Sequence, residues 1–217
     1  NINNKQCLPP GKLTMIYNGY NEWFSKRNYD ANVIGRYIDA PDYFFFLGNT
    51  DPKKNTERTL LAYSQYLLKS KVKRRLLVAD IKAAEVDAIL KRYGMSYIRE
   101  KIVVAGYIKN SDLPHIYSSA FAFLYTSLRE SFGIPLLEAM ACGTAVVTSN
   151  TSSMPEIAGS NAALVNPEDA DSIAMMMLKL ETDDDFRSRM IEQGLQRTRL
   201  FSWRNTAEQL LGVYASV

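Results

Sequence analysis

The densest concentration of chemically useful residues is the string Glu130-Ser131-Phe132-Gly133-Ile134-Pro135-Leu136-Leu137-Glu138-Ala139-Met140-Ala141-Cys142-Gly143. Pro135 suits the first turn of a helix and Gly143 its C-terminal cap, so the spacing predicts a short, well-bounded helix. The first turn of such a helix leaves backbone N–H groups from about Gly133 to Leu136 without partners, and Gly133 lets a ligand come close to the main chain. Together these features predict an anion cradle. Glu138 lies about one turn into the helix, where side chains lean toward the N-terminus, so its carboxylate should point back to the cradle. Glu130 precedes the helix and should project from the loop beside it.

A second string, Gly48-Asn49-Thr50-Asp51-Pro52-Lys53-Lys54-Asn55, leaves an apolar run and enters another helical pattern. Gly48 accommodates unusual backbone angles, and Lys53 and Lys54 sit just before the helix, where the dipole gives positive charge no advantage. Cations at that end are explained by an anion that they and the dipole bind jointly, such as a diphosphate. Two carboxylates near a phosphate would repel it unless each has hydroxyl groups to accept from. A sugar nucleotide carries hydroxyls at two separate places, so one glutamate per sugar ring is the economical assignment. Either glutamate alone would read as a helix-dipole or surface residue; the whole string carries the assignment.

Composition removes other classes. The 217 residues suit one sizeable α/β domain, and 47% apolar with 23% charged residues is ordinary for a soluble globular chain. No apolar run approaches the length of a membrane helix. A net charge of +3 falls short of the concentrated basic surface of a nucleic-acid binder, so no nucleic-acid partner is expected. Cys7 and Cys142 are too few for a disulfide scaffold or a zinc site and suit a reducing, cytoplasmic compartment. The single histidine, His115, excludes a histidine metal cluster and reads as structural or surface. The run Lys69, Lys71, Lys73, Arg74, Arg75 reads as a solvated connection, with contact to anionic lipid the weaker alternative. Asp183-Asp184-Asp185 reads as helix capping rather than metal ligation. The Gly-x-Gly-x-x-Gly loop of a dehydrogenase is missing. The first residues, Asn1-Ile2-Asn3-Asn4-Lys5, show neither an initiator Met nor a signal-peptide pattern, and the chain reads as a fragment.

These loops need a scaffold. Short β-rich runs at Lys12 to Tyr17, Tyr43 to Leu47, Arg75 to Ala79, Lys101 to Ala105, Ala120 to Tyr125, Ala145 to Thr148 and Ala163 to Val165 alternate with helical patterns. Asn55 is expected to N-cap the first long helix, Ala83 to Tyr93 forms the next, and others begin near Asp112 and Ile134. After Val165 only helices remain: Asp171 to Leu180, Asp184 to Phe201 and Ser202 to Tyr214, a tail expected to close the domain. Pro9-Pro10-Gly11 and the stretch Arg27 to Pro41 carry turn chemistry. Nearly all-apolar strands belong in a sheet covered on both faces, which predicts a Rossmann-like doubly wound parallel sheet with C-terminal helices. In such sheets ligands bind beyond the carboxyl ends of the strands, which is where both strings lie.

The run from Glu130 to Gly143 resembles the signature of retaining glycosyltransferases of the GT-B fold, the family 4 type: Glu-x-Phe-Gly-x-x-x-x-Glu-Ala-Met-Ala-x-Gly. Other segments resemble the family in order. They are Ile16-Tyr17-Asn18-Gly19 with Phe24, Gly48 to Asn55, Gly106-Tyr107-Ile108 before Asp112-Leu113, Thr148-Ser149-Asn150 with Pro155-Glu156, and Phe201-Ser202-Trp203. The resemblance covers nearly the whole chain and implies one half of a GT-B architecture, the C-terminal donor-binding domain. An N-terminal acceptor domain is then absent from the chain.

By that likeness Glu130 would bind donor-sugar hydroxyls, and the main chain of Phe132, Gly133 and Ile134 would meet sugar and phosphate. Glu138 would hold the ribose, and Lys54, helped by Lys53, would neutralise the departing diphosphate. The backbone at Tyr107 and Ile108 would edge the nucleobase, and Gly48 and Asn49 would line the phosphate loop. The implied reaction is transfer of a hexose-type sugar from a UDP- or GDP-linked donor to a glycan or lipid-linked glycan, with retention and without a metal or other cofactor. The fragment alone should be nearly inactive, and peripheral contact with the cytoplasmic face of a membrane would belong to the full-length protein. One departure stands out: many relatives place Arg after the first-loop glycine, where this chain has Asn49. Either Lys53 compensates, the preferred reading, or the diphosphate is held less tightly. The alternative function is a catalytically silent nucleotide-sugar-binding or regulatory module of the same fold.

Overall fold

The computed structural model describes residues 13–159 and 162–216. Six of the apolar runs become strands: β1 Tyr43–Leu47, β2 Leu76–Ala79, β3 Ile102–Gly106, β4 Ala120–Tyr125, β5 Ala145–Ser149 and β6 Ala163–Val165. They form one sheet in the order β3-β2-β1-β4-β5-β6, with every pairing parallel. The helices are α1 Ala31–Ile34, α2 Thr56–Lys69, α3 Ala83–Arg92, α4 Leu113–Ser119, α5 Ile134–Ala141, α6 Met154–Ala158, α7 Ala170–Thr182, α8 Asp184–Thr198 and α9 Trp203–Ala215.

Alternation along β1 shows why the sheet must be covered twice. Phe44 and Phe46 enter one buried cluster with Leu60, Tyr63 and Tyr66 of α2, Val86 and Leu90 of α3, and Ile173 and Met177 of α7. Tyr43 and Phe45 enter the other, with Ile116 and Tyr117 of α4, Leu136, Leu137 and Met140 of α5, and Ile157 of α6. Adjacent side chains of a strand point to opposite faces, so a run of aromatic residues is stable only between two helical layers. The expected Rossmann-like architecture is therefore present.

Some expectations are corrected. The strand expected from Lys12 to Tyr17 does not form in its described part: Leu13 to Tyr17 pairs with no strand, and the Tyr17 carbonyl instead accepts from the Thr206 hydroxyl at 2.7 Å. Alternation alone cannot separate a strand from an extended segment laid over helices. Asn55 does stand at the head of α2 but does not cap it; it sits in the left-handed region at φ 60°. Its amide donates to the carbonyls of Thr126 at 3.0 Å and Pro167 at 2.7 Å. The helix expected to reach Phe201 stops at Thr198, and Phe201 is buried against Tyr17 and Phe132.

The tail closes the domain only in part, because α7 and α8 pack on the body while α9 has no buried residue. The basic run is not wholly solvated: Arg74 pairs with Asp42 and Glu181 and lies over the Phe121 ring, and Arg75 pairs with Asp39. Asp183 caps α8 as expected, accepting from the Phe186 amide at 2.8 Å. Pro9-Pro10-Gly11 and Cys7 lie outside the described residues. Among the described residues no helix is long and apolar enough to cross a membrane.

Candidate functional site

β1 and β4 are neighbours at the centre of the sheet, yet they pass the chain to opposite faces, β1 to α2 and β4 to α5. This is the topological switch point, where the two departing loops diverge and open a crevice. Both strings singled out in the sequence line it.

On the β1 side, Asp51 starts a 3₁₀ turn over Pro52–Lys54, accepting from the Lys53 amide at 3.0 Å. That amide, and then the Lys53 side chain, hold the Asp51 carboxyl below its ordinary value. Asn49 shapes the same loop: its side-chain oxygen accepts from the Asp51 amide at 2.9 Å, and its carbonyl accepts from the Thr56 hydroxyl at 2.6 Å. A side chain on Gly48 would strike the Phe46 ring, 2.2 Å from its Cβ, so glycine leaves room for that buried ring. The Leu128 amide donates to the Lys53 carbonyl at 2.7 Å and ties the two loops together.

Lys54 reaches across the crevice to Glu130, Nζ to Oε1 2.8 Å, and its ammonium lies 5.6 Å from the centre of the Tyr125 ring. Both side chains are largely enclosed, at 21% and 14% exposure. Lys53 pairs with Asp51 at 3.1 Å on the open side. This corrects part of the sequence argument, since carboxylates of the chain itself already compensate both cations and no outside anion is needed to explain their position.

On the β4 side Gly133 opens α5 at φ 110°, and a side chain there would meet Met154 Cε at 2.7 Å. The cradle is smaller than expected. Pro135 has no N–H, and the Leu136 amide donates to the Gly133 carbonyl at 3.1 Å. The amides of Phe132, Gly133 and Ile134 have no acceptor among the described residues and remain the anion-seeking groups.

Glu138 sits one turn further along α5, half-buried, with the fully enclosed Tyr117 hydroxyl 3.5 Å from Oε2. Burial pushes its carboxyl up to about 7, against a smaller opposing effect of that hydroxyl. A bond this long compensates desolvation poorly, so the carboxyl would gain from a further hydroxyl donor. Tyr125 lies within electrostatic reach of both Glu130 and Glu138, and its phenol is raised first by burial and then by Glu130.

Glu138 borders a cleft of about 540 Å³ that Tyr107, Ile108, Leu47 and Pro135 also line. The structure thus gathers Glu138, Tyr107 and Ile108 in one cleft and Lys54 with Glu130 beside it. Tyr107 is 72% exposed while the Ile108 side chain is buried. Trp23, Asp80, Asn110 and Ser111 also line it and were not anticipated. Trp23 and Asp80 lie on segments remote in sequence, and no local spacing marks them. A larger hollow of about 660 Å³ between α2 and α3 is lined by Asn49 and Asp51 but by neither Glu130 nor Glu138. The smaller cleft is the better candidate because it joins Glu138 and Pro135 at the head of α5 to Tyr107 and Ile108 after β3.

A doubly wound parallel sheet with a charged crevice at its switch point defines an open α/β ligand-binding domain. The chain belongs to the glycosyl transferases group 1 family, whose model matches residues 35–197. It is 33% identical over 172 residues to the O-antigen chain mannosyltransferase B of Escherichia coli, a match covering 79% of this chain and 45% of that protein. Among solved structures, the sucrose-phosphate synthase of Thermosynechococcus elongatus is similar with a TM-score of 0.80 at 22% identity, over 99% of this chain and 55% of that one. Anabaena HepE, solved in complex with UDP and glucose, is similar with a TM-score of 0.75 at 17% identity, over 94% of this chain and 57% of that one. The chain therefore spans less than half of the curated relative and just over half of each solved chain. At these identities the solved structures establish the fold, the Rossmann-like half of a GT-B architecture.

Proposed function

We propose that this chain is the donor-binding half of a retaining glycosyltransferase that moves a hexose from a nucleoside diphosphate to a glycan or lipid-linked glycan. The observation that carries the reading is the Lys54–Glu130 pair, held between β1 and β4 beside the free amides of Phe132, Gly133 and Ile134. A donor entering the crevice separates the pair. Lys54 turns to the diphosphate, and Glu130 is freed to accept from hydroxyls of the sugar.

As the bond from the anomeric carbon to the diphosphate oxygen breaks, negative charge grows on the leaving group. Lys54, Lys53 and the three amides meet it, and the acceptor oxygen bonds the anomeric carbon on the same face as its proton passes to the departing diphosphate oxygen. Removing one such charge-stabilising donor typically costs about a hundredfold to a thousandfold in rate. Two lysines and an amide row supply the positive charge, so the reaction is proposed to need no metal. Glu138 accepts from the ribose, the main chain at Tyr107 and Ile108 edges the base of a UDP- or GDP-linked donor, and Gly48 lets the diphosphate approach. Asn49 shapes the loop rather than binding phosphate, and Lys53 makes up the charge.

The acceptor half is proposed to lie outside this chain, which alone would bind the donor and transfer little. The full-length protein would work at the cytoplasmic face of a membrane, and its likeness to the O-antigen chain mannosyltransferase B of Escherichia coli favours mannose and a polysaccharide acceptor. A thermal-shift panel of uridine, guanosine and adenosine diphosphates with their sugar conjugates tests the site. At least one series should raise the melting temperature of the wild type, and less that of Glu138→Gln. No shift from any series at millimolar ligand would defeat the assignment. A silent module is separated from an enzyme by the activity of the full-length protein and its loss in Glu130→Gln.

A further inference from the structure

Beside this site the loop after β5 carries Thr151-Ser152-Ser153, and its hydroxyls do unusual things. Ser153 occupies the N-cap position of α6, where a serine ordinarily bonds the first turn of its own helix, but it makes no capping bond. Its Oγ lies 3.0 Å from the carbonyl oxygens of both Glu130 and Phe132. Ser152 is held at φ 59°, a left-handed conformation that costs a non-glycine residue stability. There its hydroxyl donates to the Glu130 carbonyl at 2.7 Å and stands 3.2 Å from the Glu130 amide. Further back, Thr148 and Ser149 of β5 donate to the carbonyls of Tyr125 and Ser127 in the same way. The β5 side thus holds the carbonyls of the chain leaving β4 by a row of side-chain hydroxyls.

A trans peptide is planar, so its C=O and the following N–H point in opposite directions. Drawing the Phe132 carbonyl toward Ser153 turns the Gly133 N–H the other way. Drawing the Glu130 carbonyl toward Ser152 and Ser153 does the same for the Ser131 N–H and fixes the backbone from which Glu130 reaches Lys54. We propose that Ser152 and Ser153 are positioning residues for the donor site, setting the peptide planes that aim the amides of Ser131 and Gly133, and the Glu130 carboxylate, at the diphosphate and sugar. The inference rests on the donor-site reading above. Both serines forgo a local gain, a helix cap in one case and a relaxed backbone in the other, which is the pattern of residues placed for a site rather than for stability.

The test uses the whole chain in four forms: wild type, Ser152→Gly, Ser152→Gly with Ser153→Ala, and Ser152→Gly with Ser153→Thr. Glycine suits φ 59°, so the first substitution removes the hydroxyl without adding strain. Calorimetric titration compares the nucleoside monophosphate, diphosphate and diphosphate sugar of whichever base series binds the wild type. Positioning predicts that the double variant loses on the order of tenfold in affinity for the diphosphate and its sugar conjugate, as expected for losing hydrogen-bonded orientation. Monophosphate affinity, which depends on Glu138 and the base cleft, should stay within about twofold. Restoring a hydroxyl with Ser153→Thr in the Ser152→Gly background should recover part of the loss. Equal losses for all three ligands would mean that the serines only support the fold, and no loss would mean that they do nothing for the donor; either result overturns the proposal. Failure of the wild type to bind any series overturns the donor-site reading, and this inference with it.

Discussion

Lys54 and Glu130 lie 76 positions apart in sequence and 2.8 Å apart in space, bridging the two loops that leave β1 and β4. Each is the other's partner across the crevice, and in the proposed reaction each would take a separate task. The pair keeps two largely enclosed charges compensated by each other.

Breaking the pair from one side should leave the other charge enclosed and uncompensated. Lys54→Ala is expected to cost about 1–2 kcal/mol of stability, between the cost for exposed and for buried pairs. The double variant Lys54→Ala with Glu130→Gln should recover much of it. Urea melts of the singles and the double give the coupling; simple additivity would show that the contact contributes nothing to the resting fold.

Glu138 should make stability depend on pH. Its carboxyl is raised by burial from 4.5 to about 7, so between those values the folded chain keeps a proton that the unfolded chain has released. This contribution is fully present below the unfolded value and is lost as pH rises through that window, then levels off. Glu138→Gln should flatten the slope, seen as a wild-type-minus-variant difference in urea midpoint that changes between about pH 5 and pH 8. A parallel pair of curves would contradict the burial argument.

Donor binding should also release protons near neutral pH, because a ribose hydroxyl donating to Glu138 favours its ionised form. Titrations in two buffers of different ionisation enthalpy should give different apparent heats near pH 6.5, and Glu138→Gln should remove the difference. Identical heats for the wild type would place the ribose elsewhere.

Gly133→Ala should be damaging twice over. The backbone at φ 110° disfavours a side chain, and the new Cβ would lie 2.7 Å from Met154 Cε. A loss of about 1–3 kcal/mol is expected from the backbone alone. Met154→Ala relieves the collision but not the backbone, so the double variant should remain less stable than Met154→Ala by itself. Equal thermal midpoints would show that the loop relaxes freely.

Asn55 joins three segments through its left-handed backbone and its bonds to Thr126 and Pro167. Asn55→Gly keeps the backbone and loses two buried bonds; Asn55→Ala loses both. The alanine variant should be the less stable by about 1 kcal/mol. The reverse order in chemical denaturation would mean that backbone strain is unimportant at this junction.

What could be read in the sequence was what each segment imposes on itself. Phe44-Phe45-Phe46-Leu47 demands burial on both faces wherever it lies, and Pro135 with Gly143, observed at φ 74°, bounds α5 from its own ends. Glu130, Glu138 and the Phe132–Ile134 backbone stand in one local string and Lys54 in another, and each string resembles a family pattern that marks them as candidates. The Lys12 to Tyr17 run was misread because an extended segment laid over α9 and a paired strand carry the same alternation. Trp23, Asp80, Ser152 and Ser153 were overlooked because each meets the crevice from a segment distant in the chain.

By itself the sequence determined an α/β chain of alternating strands and helices, with a helix starting after Gly133 between two glutamates, because propensity, capping and periodicity act over a few residues. Only the tertiary structure decided that β1 lies beside β4. That non-sequential pairing sets Lys54 against Glu130, leaves Tyr125 between the two carboxylates, and brings the serine hydroxyls of the β5 loop onto the carbonyls of Glu130 and Phe132. Strand order is fixed by how two helical layers bury the aromatic faces of the sheet, a balance taken over the whole core that no single stretch of residues contains.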